Sequence, residues 1–358
     1  MVTVRTIIAL AARHGWLIYQ MDVHNAFLQG DLLEEVYMTI PPGFFSYHCK
    51  AGGVFIFYDL LVTSSDVKLI DKTRVDLQKF FKIKDLGELK FFLGIEFARS
   101  SKGIYMSQRK YALELVAELG LEGSKPASTP LEVNQKLTTV EFDKATTPAA
   151  DNDPVLRDTS VYQRLVGRLL YLTMTRPDIS YAVQTHSQFM HAPKQSHLDV
   201  VTRVVRYIKT APGQGLLLPA EGDGQLLVYC DAYWGACLHT RRSVTGYIVF
   251  YGDALISWKW KKQETVARSS TEVEFRRMAS AAAEIVWLTG LFNELGFKIK
   301  RPVTLMCDSK AAIQIAANPI FHERIKHIDI DCHFIMEKVK VGSIKTVHVN
   351  TKEQVQTF

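Results

Sequence analysis

From Gln225 onward the hydrophobic pattern dictates an order of elements that few folds accept. Three apolar runs with strand character come first, LLVYCD, SVTGYIVF and ALISWKW. A long helical stretch follows, TEVEFRRMASAAAEIVWLTGLFNELG. Then come a strand (VTLMCD), two helices (SKAAIQIAAN and IDIDCHFIMEKVKVG) and a last strand (IKTVHV). That order predicts an α+β domain built on a mixed β-sheet with flanking helices. It also sets three carboxylates on separate elements. Asp231 ends the first strand, Glu274 lies in the first turn of the long helix, and Asp308 ends the fourth strand. A carboxylate at a strand end is held rigidly and suits a hard cation. Three of them converging on a pair of divalent ions form the apparatus of phosphodiester hydrolysis. Three like charges aimed at one point repel one another, so bound Mg²⁺ is expected with them.

Each acid also has an ordinary structural explanation. Asp231 fits a turn start. Thr271 and Glu274 match a capping box, in which the two residues satisfy each other's end of the helix. Asp308 fits the N-cap of the next helix. Spacing alone leaves these readings open beside the catalytic one.

The wider sequence carries longer blocks: VYCDAYWG (Val228 to Gly235), SSTEVEFRRM (Ser269 to Met278), MCDSKAAI (Met306 to Ile313) and HERIKHIDIDCHF (His322 to Phe334). These resemble the ribonuclease H domain of Ty1/copia-type retrotransposon polyproteins. Upstream, QMDVHNAFLQGDL, EEVYMTIPPGF, FKIKDLGELKFFLGIE and YQRLVGRLLYLTMTRPDISYAV resemble the reverse transcriptase part of the same family. The resemblance implies that Asp231, Glu274 and Asp308 are metal ligands, with Glu272 the fallback for Glu274 and Asp329 the remaining candidate for a fourth acid. No aspartate follows Gln354, where the family carries one. It implies two Mg²⁺ ions and an RNA–DNA hybrid as substrate. Arg241, Arg242, Lys259, Lys261 and Lys262 mix with aromatic residues in a way that suits a nucleic-acid backbone groove; an amphipathic strand explains them as well.

For the polymerase the same resemblance points the other way. Asp22 matches the first catalytic aspartate of the palm, whereas the family's paired-aspartate turn reads Tyr58, Asp59, Leu60 here, with a single acid. Only FSYHCKAGGV separates PPGF from that strand, where the family has a long nucleotide-contacting segment. Positioning is most of such catalysis, so DNA polymerase activity is expected to be lost. The expected organisation is a truncated polymerase palm and thumb-like remnant (1–122), a linker (123–155), a helical connection (156–220) and a ribonuclease H-like domain (221–358). The rival expectation is a catalytically dead nucleic-acid-binding relic or a coopted scaffold.

Composition sets the remaining bounds. The 358 residues are 47% hydrophobic and 22% charged, as in a globular chain with real cores. No apolar run spans a bilayer and MVTVRTIIALAARHGW does not read as a secretory signal, so an intracellular protein, cytoplasmic or nuclear and without membrane attachment, is expected. Five cysteines lack disulfide spacing. His322, His327, Cys332 and His333 lack the pairing of a structural zinc site. Net charge is +6, and residues 155–217 hold eight Lys/Arg against three Asp/Glu. This excess suits a phosphate backbone or a solvated helical face. Nothing in the sequence fixes the oligomeric state.

Overall fold

The computed structural model describes residues 1–23, 58–80, 83–132, 137–146, 153–317 and 329–350. Helix α1 (Val2–His14) buries Ile8, Leu10 and the alanines between and beside them, and ends at Gly15, whose left-handed backbone (φ 66°) returns its amide to the Ala11 carbonyl. Strand β1 (Ile18–Val23) pairs antiparallel with β2 (Tyr58–Thr63). Helix α2 (Val67–Phe80) leads into β3 (Ile83–Glu88), which pairs with the other edge of β1. The result is a three-stranded sheet in which Asp22 stands opposite Asp59 in register.

Strands β4 (Phe91–Phe92), β5 (Ile95–Ser100) and β6 (Gly103–Ser107) form a meander. Helices α3 (Arg109–Glu118), α4 (Val140–Thr146), α5 (Thr159–Leu172), α6 (Ser180–His186) and α7 (Gln195–Thr210) follow. Asp158 caps α5 by accepting from the Ser160 amide at 2.9 Å. The inward stripes of α3, α5, α6 and α7 make a core of their own around Tyr162, Leu169, Val183, Val204 and Ile208. After α7 the chain adds β7 (Leu216–Pro219), which pairs with β6 and completes a four-stranded sheet. Residues expected to be a purely helical connection thus contribute a strand to a sheet begun before residue 122.

The last part runs β8 (Leu226–Tyr233), β9 (Val244–Tyr251), β10 (Ala254–Lys262), α8 (Ser270–Glu294), β11 (Val303–Cys307), α9 (Lys310–Ala317), α10 (Asp329–Lys340) and β12 (Ile344–His348). This is the expected order. Sheet order is β10-β9-β8-β11-β12, antiparallel from β8 to β10 and parallel between β8, β11 and β12. Strand β8 is therefore central, and Asp231 sits near its C-terminal end. Gly246 of β9 is required where it is: a Cβ there would lie 2.4 Å from the Trp260 ring across the ladder. Helices α8 and α10 pack together along this sheet, and α1 packs against β10. One hydrophobic core runs from α1 through β5, β6 and β7 to β8, β9, α8 and β11. The α+β class and the mixed sheet with flanking helices stand as expected.

Some expected positions fall outside the described residues. These are the NAFLQGDL and PPGF stretches, Cys49, His322, His327 and the final TKEQVQTF; the side chains of Asp59 and Asp329 are likewise outside them.

Candidate active site

Serines, not the acids, cap the two helices that meet the site. Ser269 is the N-cap of α8, its hydroxyl accepting from the Glu272 amide at 3.2 Å. Glu272 returns a carboxylate oxygen to the Arg268 amide at 2.8 Å and pairs with Arg276 at 2.8 Å. The expected Thr271–Glu274 box is therefore displaced by two residues. A capping box needs its acid at the third helical position, and starting the helix at Ser270 gives that position to Glu272. Glu272 is thereby structural, and Glu274 is free of the cap. The same holds at α9, where the Ser309 hydroxyl accepts from the Ala312 amide at 3.2 Å and leaves Asp308 out of the cap.

The freed acids converge. Glu274, Cys307 and Asp308 each place a ligand atom within 4.8 Å of the others. Asp231 joins them through Arg277, one turn along α8 from Glu274. The Arg277 Nη1 donates to Asp231 at 3.3 Å, and Nη2 donates to Asp308 and to the Cys307 sulfur, each at 3.1 Å. Nη2 also pairs with Glu274. Arg277 is only 1% exposed. Burial opposes its charge, but Cys230, Glu274, Cys307 and Asp308 outweigh burial and hold it protonated. Burial pushes the Glu274 carboxyl up against the pull of Arg277, and it raises Asp231 in the same way. The carboxylate oxygens suit a hard divalent cation. In the conformation described, one guanidinium already contacts all three acids.

Arg277 also lines a neighbouring cleft of about 660 Å³, whose lining does not include Asp231, Glu274, Cys307 or Asp308. Lys259, Lys261 and Lys262 of β10 line one wall, Arg276 and Arg277 of α8 another, and Asp331 and Phe334 of α10 complete it. Burial raises the Asp331 carboxyl, with Arg276 opposing. The expected mixing of aromatic and basic residues on β10 is sorted by the pleat. Trp258 points away from Lys259 and Lys261, donates to Ser180 at 3.1 Å and lies under Arg5 at 3.7 Å; Trp260 lies over Gly246 and edge-on to Tyr181. The tryptophans hold the fold, Lys259 and Lys261 take the opposite pleat face in the cleft lining, and Lys262, on the tryptophan side, places Nζ 3.9 Å from the Cys237 sulfur. Arg241 and Arg242 lie apart from the cleft lining, in the turn between β8 and β9, where Arg241 is exposed with φ 53°.

Other expectations change with the geometry. Most of the basic residues of 155–217 are engaged by partners, while Arg157 and Arg164 stay exposed. Arg168 pairs with Glu118, Arg176 with Asp178, Lys194 with Asp143 and Asp153, and Arg203 with Glu132. Arg206 and Lys209 donate to backbone carbonyls between Leu121 and Lys125. The cations tie the described parts of 123–155 to α7, because those parts supply carboxylates and orphan carbonyls within reach. Cys332 belongs to the hydrophobic core. Sequence reasoning missed Arg277, Asp331 and two exposed aromatics beside Asp231, Tyr233 (50% exposed) and Trp234 (59%). A signal existed for Arg277, since three-residue spacing puts it on the Glu274 face of the helix. Among the described residues no helix is long and apolar enough to cross a membrane.

A family profile described as reverse transcriptase (RNA-dependent DNA polymerase) matches residues 1–55 and 51–133. The chain is 37% identical to the retrovirus-related Pol polyprotein from transposon RE1 of Arabidopsis thaliana over 403 residues, covering 98% of this chain and 27% of that protein. It thus spans about a quarter of that relative's length. It is 34% identical to a putative transposon Ty5-1 protein of Saccharomyces cerevisiae, covering 74% of this chain and 100% of that protein. Among solved structures, ribonuclease H1 from Halobacterium salinarum is similar over 37% of this chain and 90% of that one, at 12% identity and a TM-score of 0.26. By its sequence matches the chain belongs to the Ty1/copia-type retrotransposon Pol family, with residues 1–133 matching its reverse transcriptase profile.

Proposed function

We propose that the C-terminal region hydrolyses the RNA strand of RNA–DNA hybrids at Asp231, Glu274 and Asp308, and that the N-terminal region no longer extends primers. The observation that carries the first part is the convergence of three carboxylates, from β8, α8 and the end of β11, on Arg277, which also lines the neighbouring basic cleft. Glu274 and Asp308, with Asp231 beside them, would hold divalent ions, which when bound activate water and stabilise the departing oxygen. Lys259, Lys261 and Lys262 would take the phosphates along the cleft. Hybrid recognition of this kind reads shape, phosphate and 2′-hydroxyl rather than base sequence. Tyr233 and Trp234 lie exposed next to Asp231 and offer faces for stacking.

Loss of polymerase activity is supported by the junction of the two matched pieces. The family profile breaks at residues 51–55. The alignment to the RE1 polyprotein runs over 403 residues, more than the 358 of this chain, so the relative carries stretches with no counterpart here. Asp22 faces one aspartate in register, Asp59. A second reading, nucleic-acid binding without hydrolysis, is favoured by one observation: Arg277 already pairs with all three acids.

Labelled hybrid incubated with and without Mg²⁺ tests the reading. Wild type is expected to shorten the RNA strand only with the ion. Asp231→Asn, nearly isosteric, is expected to lose at least about 100-fold in rate while keeping its fold. Intact RNA with folded wild type at every Mg²⁺ concentration would leave the binding reading.

A further inference from the structure

We propose that Arg277 is the resident cation of the acidic centre, and that a divalent ion enters only by displacing its guanidinium. This rests on reading the centre as a metal site. The geometry is specific. One side chain reaches Asp231 through Nη1 and Glu274, Cys307 and Asp308 through Nη2, so it contacts each acid that an ion would need. It stands between the acids and the basic cleft, since it contacts the former and lines the latter. Its Nε is buried with no hydrogen-bond partner among the described residues, so its polar contacts are all made by the two Nη atoms. A buried guanidinium so placed does two things. It stabilises the ion-free fold, because without it the partly buried acids would lose their shared ion-pair partner. It also repels a second cation at short range in a low-dielectric setting.

Two structural features bear on its mobility. Arg276, the neighbouring residue, is already committed to Glu272 and so is not available to replace it. The cleft beside Arg277 is lined by lysines, so a displaced guanidinium would move among like charges unless phosphate were present. Hybrid and ion are therefore expected to bind cooperatively, each making room for the other.

Calorimetric titration of the full chain with MnCl₂ tests the proposal. Arg277→Met keeps a linear stem as far as the Nε position and removes the charged tip. It is expected to bind Mn²⁺ at least about tenfold more tightly than wild type, and adding Asp231→Asn to it is expected to erase the gain. Melting gives a readout independent of turnover: Mn²⁺ should raise the midpoint of Arg277→Met clearly more than that of wild type. Arg277→Lys, which keeps a point charge on a shorter reach, should fall between the two. If Arg277→Met is unfolded without ion, refolding on Mn²⁺ addition supports the proposal, and a chain unfolded at every concentration overturns it. Equal affinity in wild type and Arg277→Met also overturns it, as does a folded Arg277→Met that binds no ion. Tight Mn²⁺ binding by Arg277→Met without any hybrid cleavage would sink the hydrolytic reading and leave this one standing. Cleavage by wild type with equal affinities would do the reverse.

Discussion

Two sheets in this chain carry an aspartate on their central strand, and they differ in what surrounds it. In the C-terminal sheet Asp231 of β8 is flanked by α8, which buries Phe275, Met278, Ala282, Ile285 and Leu288, and α10 packs on α8 in turn. In the N-terminal sheet Asp22 of β1 has α2 nearby, and that helix leaves Val67, Leu69 and Val75 about half exposed, at 49%, 53% and 51%. One Asp22 carboxylate oxygen is buried without a hydrogen-bond partner among the described residues. An acid on a strand becomes a usable site through the elements that cover it, supply its countercharge and shape an approach. The C-terminal sheet has all three.

The sharpest break between the regions should appear in stability. Phe275→Ala empties a fully buried position on α8 and is expected to cost about 3–5 kcal/mol in denaturant unfolding, whereas Val75→Ala on α2 should stay within about 0.5 kcal/mol. Comparable losses at both positions would erase the distinction drawn here.

Acidification probes the helical core between the sheets. His186 is fully buried, both ring nitrogens lack partners among the described residues, and burial, with His197 adding, lowers its pKa to about 4 from an unfolded value of 6.5. Its folded pKa lies below the unfolded one, so the unfolded chain binds the extra proton between these values. The stability contribution is complete above the unfolded value and is lost as pH falls from 6.5 towards 4, by up to roughly 3 kcal/mol. Chemical denaturation across that range should show the slope in wild type and a shallower one in His186→Leu. Equal slopes would place the acid sensitivity elsewhere.

Where the two regions divide is itself testable. Arg5 of α1 donates to the Ile256 carbonyl at 2.8 Å and the Met174 carbonyl at 3.0 Å and stacks on Trp258, so α1 is part of the C-terminal core. Arg5→Ala is expected to cost about 2 kcal/mol and to lower the cooperativity of unfolding. No effect on the C-terminal sheet would return α1 to the N-terminal region. The smallest effect concerns the cleft: Lys261→Ala should weaken hybrid binding roughly threefold and reduce the salt slope by about one unit, with Arg241→Ala changing less. The reverse ranking would move the nucleic-acid path to the β8–β9 turn.

Much of this was legible in the sequence because it is local. The strand–helix order from Gln225 follows from hydrophobic period, and it carries Asp231, Glu274 and Asp308 to their elements. The cap was misplaced because Ser269–Glu272 and Thr271–Glu274 both satisfy the same pattern, and only the true start of α8 separates them. The role of Arg277 needed the depth at which α8 sits on the sheet. The sorting of Trp258 and Trp260 from Lys259 and Lys261 needed the direction of the pleat. The basic excess of 155–217 looked like surface because its partners, Glu118, Glu132, Asp143 and Asp153, lie upstream or far along the chain. The pairing of β7 with β6 and the seat of α1 are contacts over a hundred residues or more, which no window of sequence contains.

The most direct measurement puts both regions in one tube. An RNA template labelled at one end and annealed to a DNA primer labelled with a second dye is incubated with the full chain, all four deoxynucleotides and excess Mg²⁺. The account predicts that the RNA strand shortens, that the primer keeps its length, and that Asp231→Asn leaves both strands unchanged. A lengthened primer, or an RNA strand left whole by folded wild type, would contradict it.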